Sequence, residues 1–290
     1  MSAIYRKELR SYFNGMIGAV FAGFILLVAG IYISNYNFTY FTARFEYALQ
    51  AIPIMYLPAI PVLAMRAVSE ERGQHTDQLL YSLPISLSKI VIGKYLAMVT
   101  VLAAPLVLIG LVPIIMSFYG SVDFLTSYAS LFAMFLLGCA LIAICMFISS
   151  LTDSQIIAAV ASIAAMLVIY LISGITAMIP TTATASLVLF ICLAVLVGIL
   201  LYYLTKNIPL AGGVALVLAA VAVGLYIYKA SLFESAFANM LGTLALFNRT
   251  SEFYNGIFDM TAVIYYLSFI VFFVFLTTQS MEKKRWSEVD

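Results

Sequence analysis

Eight runs of roughly 18–29 mostly apolar residues follow one another along the 290-residue chain. They lie at about 16–34, 48–65, 90–118, 125–149, 155–178, 184–204, 210–228 and 260–280. Crossing the hydrocarbon of a bilayer takes about 20 such residues as a helix. A helix is also the one local structure that satisfies all its own backbone polar groups there. The runs therefore predict an all-α polytopic membrane protein of about eight spans. Composition agrees, with 64% of residues hydrophobic and 9% charged, against about 25% charged in a soluble domain. No polar stretch exceeds about 30 residues, too few for an independent core. The weakest cut is Thr205–Pro209, where Lys206 and Pro209 favour a tight turn. The first run is longer than a signal-peptide core and has no small-x-small site after it, so it reads as an uncleaved span.

Basic residues set the expected orientation. With the N-terminus inside, the inner segments hold Arg6, Lys7, Arg10, Arg66, Arg72, Lys89, Lys94, Lys206, Lys283, Lys284 and Arg285. The outer segments hold Arg44, Lys229 and Arg249, so eleven of the fourteen Lys and Arg lie inside. That bias predicts both termini in the cytoplasm. Pro53, Pro58 and Pro61 predict a kink in the second span.

No ionisable residue is expected deep in any span. Lys94 comes nearest and is expected to snorkel to the inner surface. This counts against an ion-coupled carrier, which commonly keeps charged groups or broken helices at the midplane. The three cysteines lie in apolar runs without CxxC spacing and read as small buried hydrophobes. No protease, hydrolase or phosphate-loop motif is present; GKY at Gly93 lacks the rest of GxxxxGK[ST]. No basic face of the kind nucleic acid requires is present. The chain carries no visible energy source of its own.

Three inner polar segments carry the remaining information. IYRKELRSYF repeats Tyr5, Leu9, Tyr12 and Phe13 at helical spacing, which predicts an interfacial amphipathic helix over residues 1–15. The cytoplasmic segment 66–89 contains SEERGQHTDQLLYSLPIS. Arg66, Glu70 and Glu71 continue the second span at i,i+4 pairing distance. Gly73 breaks that helix. Thr76 or Asp77 caps a short helix, Asp77, Gln78, Leu79, Leu80, Tyr81, Ser82 and Leu83, which Pro84 ends. Its leucine face suits a groove on another protein. His75, the only histidine, reads as structural. SSLTDSQ, with Thr152 and Asp153, forms a tight turn between spans four and five. The outer segment 229–259 places Phe233, Phe237, Met240, Leu244 and Phe247 at near-helical spacing.

In this order, IYRKELRSYF, two spans, RAVSEERGQHTDQLLYSLPISLSKIVIGKYLA and SSLTDSQ resemble the ABC-2 type permease family, the membrane subunits of one class of ATP-binding-cassette exporter. The C-terminal run FYNGIFDMTAVIYYLSFIVFFVFLTTQSMEKKRW is similar to the permease of the gliding-motility-associated ABC transporter subfamily. The family commonly has six spans, so the pair at 184–228 is additional. The resemblance implies a permease in a bacterial plasma membrane, without catalytic, cofactor or metal residues of its own. ATP and Mg would be bound by a partner ATPase seated on Asp77–Pro84 and on Thr152 and Asp153. Glu70 and Glu71 would tie the second span to the N-terminal helix through Arg6, Lys7 or Arg10. A second permease, as homodimer or heterodimer, is implied, and an extracellular accessory subunit is left open. A non-transporting subunit of an ATPase-driven signalling or mechanical complex is the alternative, and an ion-coupled carrier is a more distant one.

Overall fold

The computed structural model of the protein describes residues 2–40, 42–74 and 86–287. Every regular element among them is helical. Seven helical segments are long and apolar enough to cross a membrane: Ile17–Thr39, Phe45–Gly73, Leu87–Met116, Phe124–Leu151, Gln155–Met178, Ile208–Tyr228 and Met260–Arg285. The sixth expected span forms a helix, but its described apolar part, Ala183–Ile199, is shorter than the others. The chain is thus a polytopic helical membrane protein, with seven such helices among the described residues.

Two compact units divide it. The first comprises Met1–Val168 and Leu246–Asp290. It opens with α1 (Ser2–Asn14), which turns at Gly15 and Met16 into α2 (Ile17–Ile33). The proline-rich second span is broken as its sequence predicts. It runs as α3 (Phe45–Ala51), a 3-10 turn (Ile52–Met55) and α4 (Tyr56–Ala64), then continues through a turn into α5 (Ser69–Gly73). Next come α6 (Leu87–Ile109), α7 (Val112–Met116), α8 (Phe124–Leu151) and the first part of α9 (Gln155–Met178). After a 3-10 turn (Leu246–Thr250), α13 (Ser251–Tyr254) and α14 (Met260–Ser287) complete the unit.

The core of this unit surrounds α8, which packs on α3, α4, α6 and α14. Tyr56, Phe45, Phe253 and Tyr266 are the largest fully buried side chains. The two tyrosine hydroxyls find carbonyls: Tyr56 donates to Met134 O at 3.5 Å and Tyr266 to Leu246 O at 2.6 Å. Gly138 on α8 makes the close approach possible, because a Cβ there would lie 2.6 Å from Leu102 Cδ2 and 3.4 Å from Tyr56 Cε2. Small residues at such crossings supply the packing that replaces the hydrophobic effect inside a bilayer. Asp123 starts α8 by accepting from the amides of Leu125 and Thr126 and from the Thr126 hydroxyl. Those donors hold its carboxyl below the usual carboxylate range.

The second unit, Ile169–Ala245, contains the end of α9, then α10 (Ala183–Thr205), α11 (Ile208–Tyr228), a 3-10 turn (Ala230–Phe233) and α12 (Ala236–Thr243). The helices α10 and α11 pack as a hairpin around Asn207, whose side chain caps the Leu210 amide. Phe190 meets Phe233 and Phe237 edge-on at 5.8 and 5.2 Å, an orientation favoured by the ring quadrupoles. Cys139 and Cys145 are buried, but Cys192 on α10 is exposed, contrary to its sequence reading.

Candidate functional site: a charged collar at one end of the helices

One end of the first unit gathers α1, the α4–α5 turn, the start of α6, the α8–α9 turn and the end of α14. The α4–α5 turn, residues 65–68, explains why. Helix α4 stops at Ala64, so its last carbonyls lose their i+4 donors and need other partners in an apolar surround. Side chains from other helices supply the bonds. Tyr12 of α1 donates to Leu63 O at 3.3 Å. Burial pushes the Tyr12 hydroxyl well above its ordinary range, so it remains a donor. Ser149 of α8 donates to Met65 O at 3.0 Å and accepts from the amides of Val68 and Ser69 at 3.3 and 3.2 Å. One hydroxyl thereby uses its donor and both lone pairs.

Lys94 of α6 completes the turn. Its ammonium reaches Ala67 O at 2.8 Å, Glu71 at 2.8 Å and Glu8 of α1 at 3.2 Å. Three acceptors match the three donors of a lysine. The residue is 2% exposed, so the expectation that Lys94 snorkels to the surface is corrected. It does not reach for water because two carboxylates and a carbonyl come to it. Lys7 approaches Glu71 from the other side at 3.6 Å, with 65% of its side chain exposed. Tyr5, one turn before Glu8 on the same face of α1, shares a 2.9 Å hydrogen bond with Thr100.

A second knot holds the α8–α9 turn. The guanidinium of Arg72, 5% exposed, donates to Ser150 O and stands 4.0 Å from Asp153. Lys284 of α14 pairs with Asp153 at 2.6 Å, and Ser280 donates to Ser150 O at 3.2 Å. Gly73 lets the end of α5 come close, since a Cβ would lie 3.0 Å from Asp153 O. Thr152 accepts from the Ser154 amide at 3.0 Å and shapes the turn.

Several residues singled out in the sequence take different places. Glu71 reaches α1 through Lys7 and bonds Lys94 as well. Glu70 instead pairs with Arg66 within its own segment. Arg6 and Arg10 make no ion pair among the described residues and are exposed. Thr152 and Asp153 lie in the α8–α9 turn, where Asp153 has a 67% exposed side chain. His75, Asp77, Gln78, Leu79, Leu80, Tyr81, Ser82, Leu83 and Pro84 lie outside the described residues. Sequence reasoning missed Glu8, Lys94, Arg72, Lys284 and Ser149 as partners in these knots. The one available signal was that Glu8 is the only acid in a basic helix and Lys94 the only cation within an otherwise apolar run.

The described ion pairs thus gather at one end of the helices of the first unit, where they join α1, α5, α6, the α8–α9 turn and α14. The family model described as ABC-2 family transporter protein matches residues 20–208, more than half of the chain. The chain belongs to that family. The match includes α10 and ends where α11 begins. No curated protein and no solved structure matches.

Proposed function

We propose that the chain is the permease subunit of an ATP-driven exporter. A separate ATP-binding subunit seats on Asp77–Pro84 and on the Thr152–Asp153 turn. The observation that carries this reading is the convergence of the ends of both segments. Gly73 and Leu87, which flank the docking segment, lie on α5 and α6, and both of these helices are locked to the α4–α5 turn by Lys94 and Ser149. Arg72, two residues before Gln74, grips the α8–α9 turn. A push on either segment is therefore delivered to α1, α4, α6, α8 and α14 together. ATP and Mg belong to the partner, and this chain supplies the levers.

On this reading the collar faces the cytoplasm of a bacterium and both termini lie inside, in line with the eleven inner basic residues. A second permease, identical or related, completes the translocation path. The likeness of the C-terminal run to the gliding-motility-associated permeases supports that narrower placement. The test is a detergent pull-down with the ATP-binding subunit. Leu83→Asp puts a charge into the apolar contact, where desolvation is costly. It is expected to lose the ATPase at normal membrane level, and Leu83→Ala to weaken it less. Retention of the ATPase at wild-type stoichiometry by Leu83→Asp contradicts the docking assignment.

A further inference from the structure

Arg6 and Arg10 have no role in the collar, although Lys7 between them reaches Glu71. They stand four residues apart, so they share one face of α1, and the same spacing continues to Asn14 at the end of the helix. This face is exposed and opposite the Tyr5–Glu8–Tyr12 face that docks on α4 and α6. It leads to the corner where Gly15 and Met16 turn the chain into α2. The corner is tight, with Met16 in the left-handed region at φ 60°. A Cβ on Gly15 would lie 2.7 Å from Ser11 O.

A groove of about 350 Å³ opens at this corner between α2 and α4. Met16, Val20 and Phe24 line one wall, Pro58 and Val62 the other, and every lining residue is apolar. It follows α2 from Ile17 to Phe24, a length of roughly 10 Å at the helical rise. The groove is on the scale of an alkyl chain. It begins at Gly15, five residues after Arg10, and a guanidinium fork matches the oxygens of a phosphate diester.

We propose that this corner binds one anionic phospholipid, with an acyl chain in the groove between α2 and α4 and the phosphate on Arg10 and Arg6. Charge complementarity selects the occupant. Two exposed cations with no carboxylate partner among the described residues, on the helix that leads into the apolar slot, favour a lipid of net negative charge over a zwitterionic one, whose own cation they repel. The site does not depend on the transport reading, since it uses neither the collar nor the docking segment.

The full chain in detergent, titrated with phosphatidylglycerol or phosphatidylcholine and followed by native mass spectrometry, tests the site. The wild type is expected to hold one phosphatidylglycerol about 25-fold more tightly than phosphatidylcholine. Each basic residue beside an anionic headgroup contributes about fivefold. Arg6→Gln with Arg10→Gln is therefore expected to remove the preference, and Arg6→Lys with Arg10→Lys to retain most of it. Val20→Trp fills the groove from an exposed position. It is expected to lower phosphatidylglycerol binding with no change in melting temperature, and Val62→Trp repeats the test from the opposite wall. Equal binding of the two lipids by the wild type overturns the proposal, as does a preference that survives the double glutamine variant. Unchanged lipid binding in both tryptophan variants overturns it too, including the case in which they split a dimer and so mark the groove as a contact between copies.

Discussion

Replacing Lys94 with methionine removes the charge while keeping most of the stem's volume. Glu8 and Glu71, whose side chains are 13% and 15% exposed, then face each other across the α1–α5 boundary without their shared cation. Glu71 keeps Lys7, but at 3.6 Å and with that lysine mostly in solvent, a contact worth about 0–1 kcal/mol. Breaking a buried pair from one side costs about 3–5 kcal/mol. The partial exposure of the two glutamates places this case near 3 kcal/mol. A loss of that size lowers the melting temperature of a chain this long by roughly 6–12 °C. The damage should be local first, with α1 released and cleaved by protease ahead of the rest. Glu8→Gln alone should cost less, because Lys94 keeps Glu71 and Ala67 O. The triple variant Lys94→Met, Glu8→Gln, Glu71→Gln should recover part of the loss, since no carboxylate is then left facing another without a counter-charge, while Ala67 O still lacks its lysine donor. Thermal melting in detergent with parallel limited proteolysis reads all three variants. A Lys94→Met protein that melts within about 1 °C of wild type and keeps α1 protected refutes the reasoning.

Three further outcomes follow from individual contacts. Gly138→Val overfills the crossing of α8 with α6 and α4 and should cost about 1–3 kcal/mol in detergent melts, with Leu102→Ala restoring part of it. The Asp123 carboxyl is depressed in the folded state, so its capping contribution is present above the unfolded value near 3.9 and is lost as pH falls through the lower folded value. Protection of the Leu125 and Thr126 amides against hydrogen exchange should fall in that window, and Asp123→Asn should flatten the pH dependence. Exchanging the Asp153–Lys284 charges as Asp153→Lys with Lys284→Asp should restore, in part, the protease protection of the α14 end that either single change loses. Arg72 limits the recovery by facing the new lysine at 4.0 Å.

The spans were legible because a bilayer imposes one rule on every backbone group that enters it, and apolar length alone reports it. The break in the second span was legible for a similar reason: Pro53 falls within the 3-10 turn between α3 and α4, where a missing N–H is tolerated. The partner of Glu70 is where sequence and structure part. Charge type shows that Glu70, Glu71 and the α1 cations complement one another, but not which pairs form. That depends on helix rotation, which sends Lys7 toward Glu71, leaves Arg6 and Arg10 exposed, and turns Glu70 back on Arg66. Lys94 was misread because a cation at the head of an apolar run is identical in sequence whether it reaches out to water or is met by Glu8, which lies 86 residues away. Ser149 is unreadable for the same reason, since its value lies in a turn 80 and 81 residues upstream that has lost its own donors.

The central claim is that a separate ATP-binding subunit drives this chain through residues 77–84. A photoreactive amino acid placed at residue 83 of the full-length protein, activated in intact membranes that also contain the ABC ATPase, tests it most directly. The account predicts a crosslink to the ATP-binding subunit, absent when the probe is moved to residue 119 at the other end of the first unit. A crosslink from residue 83 confined to lipid or to this chain's own helices contradicts it.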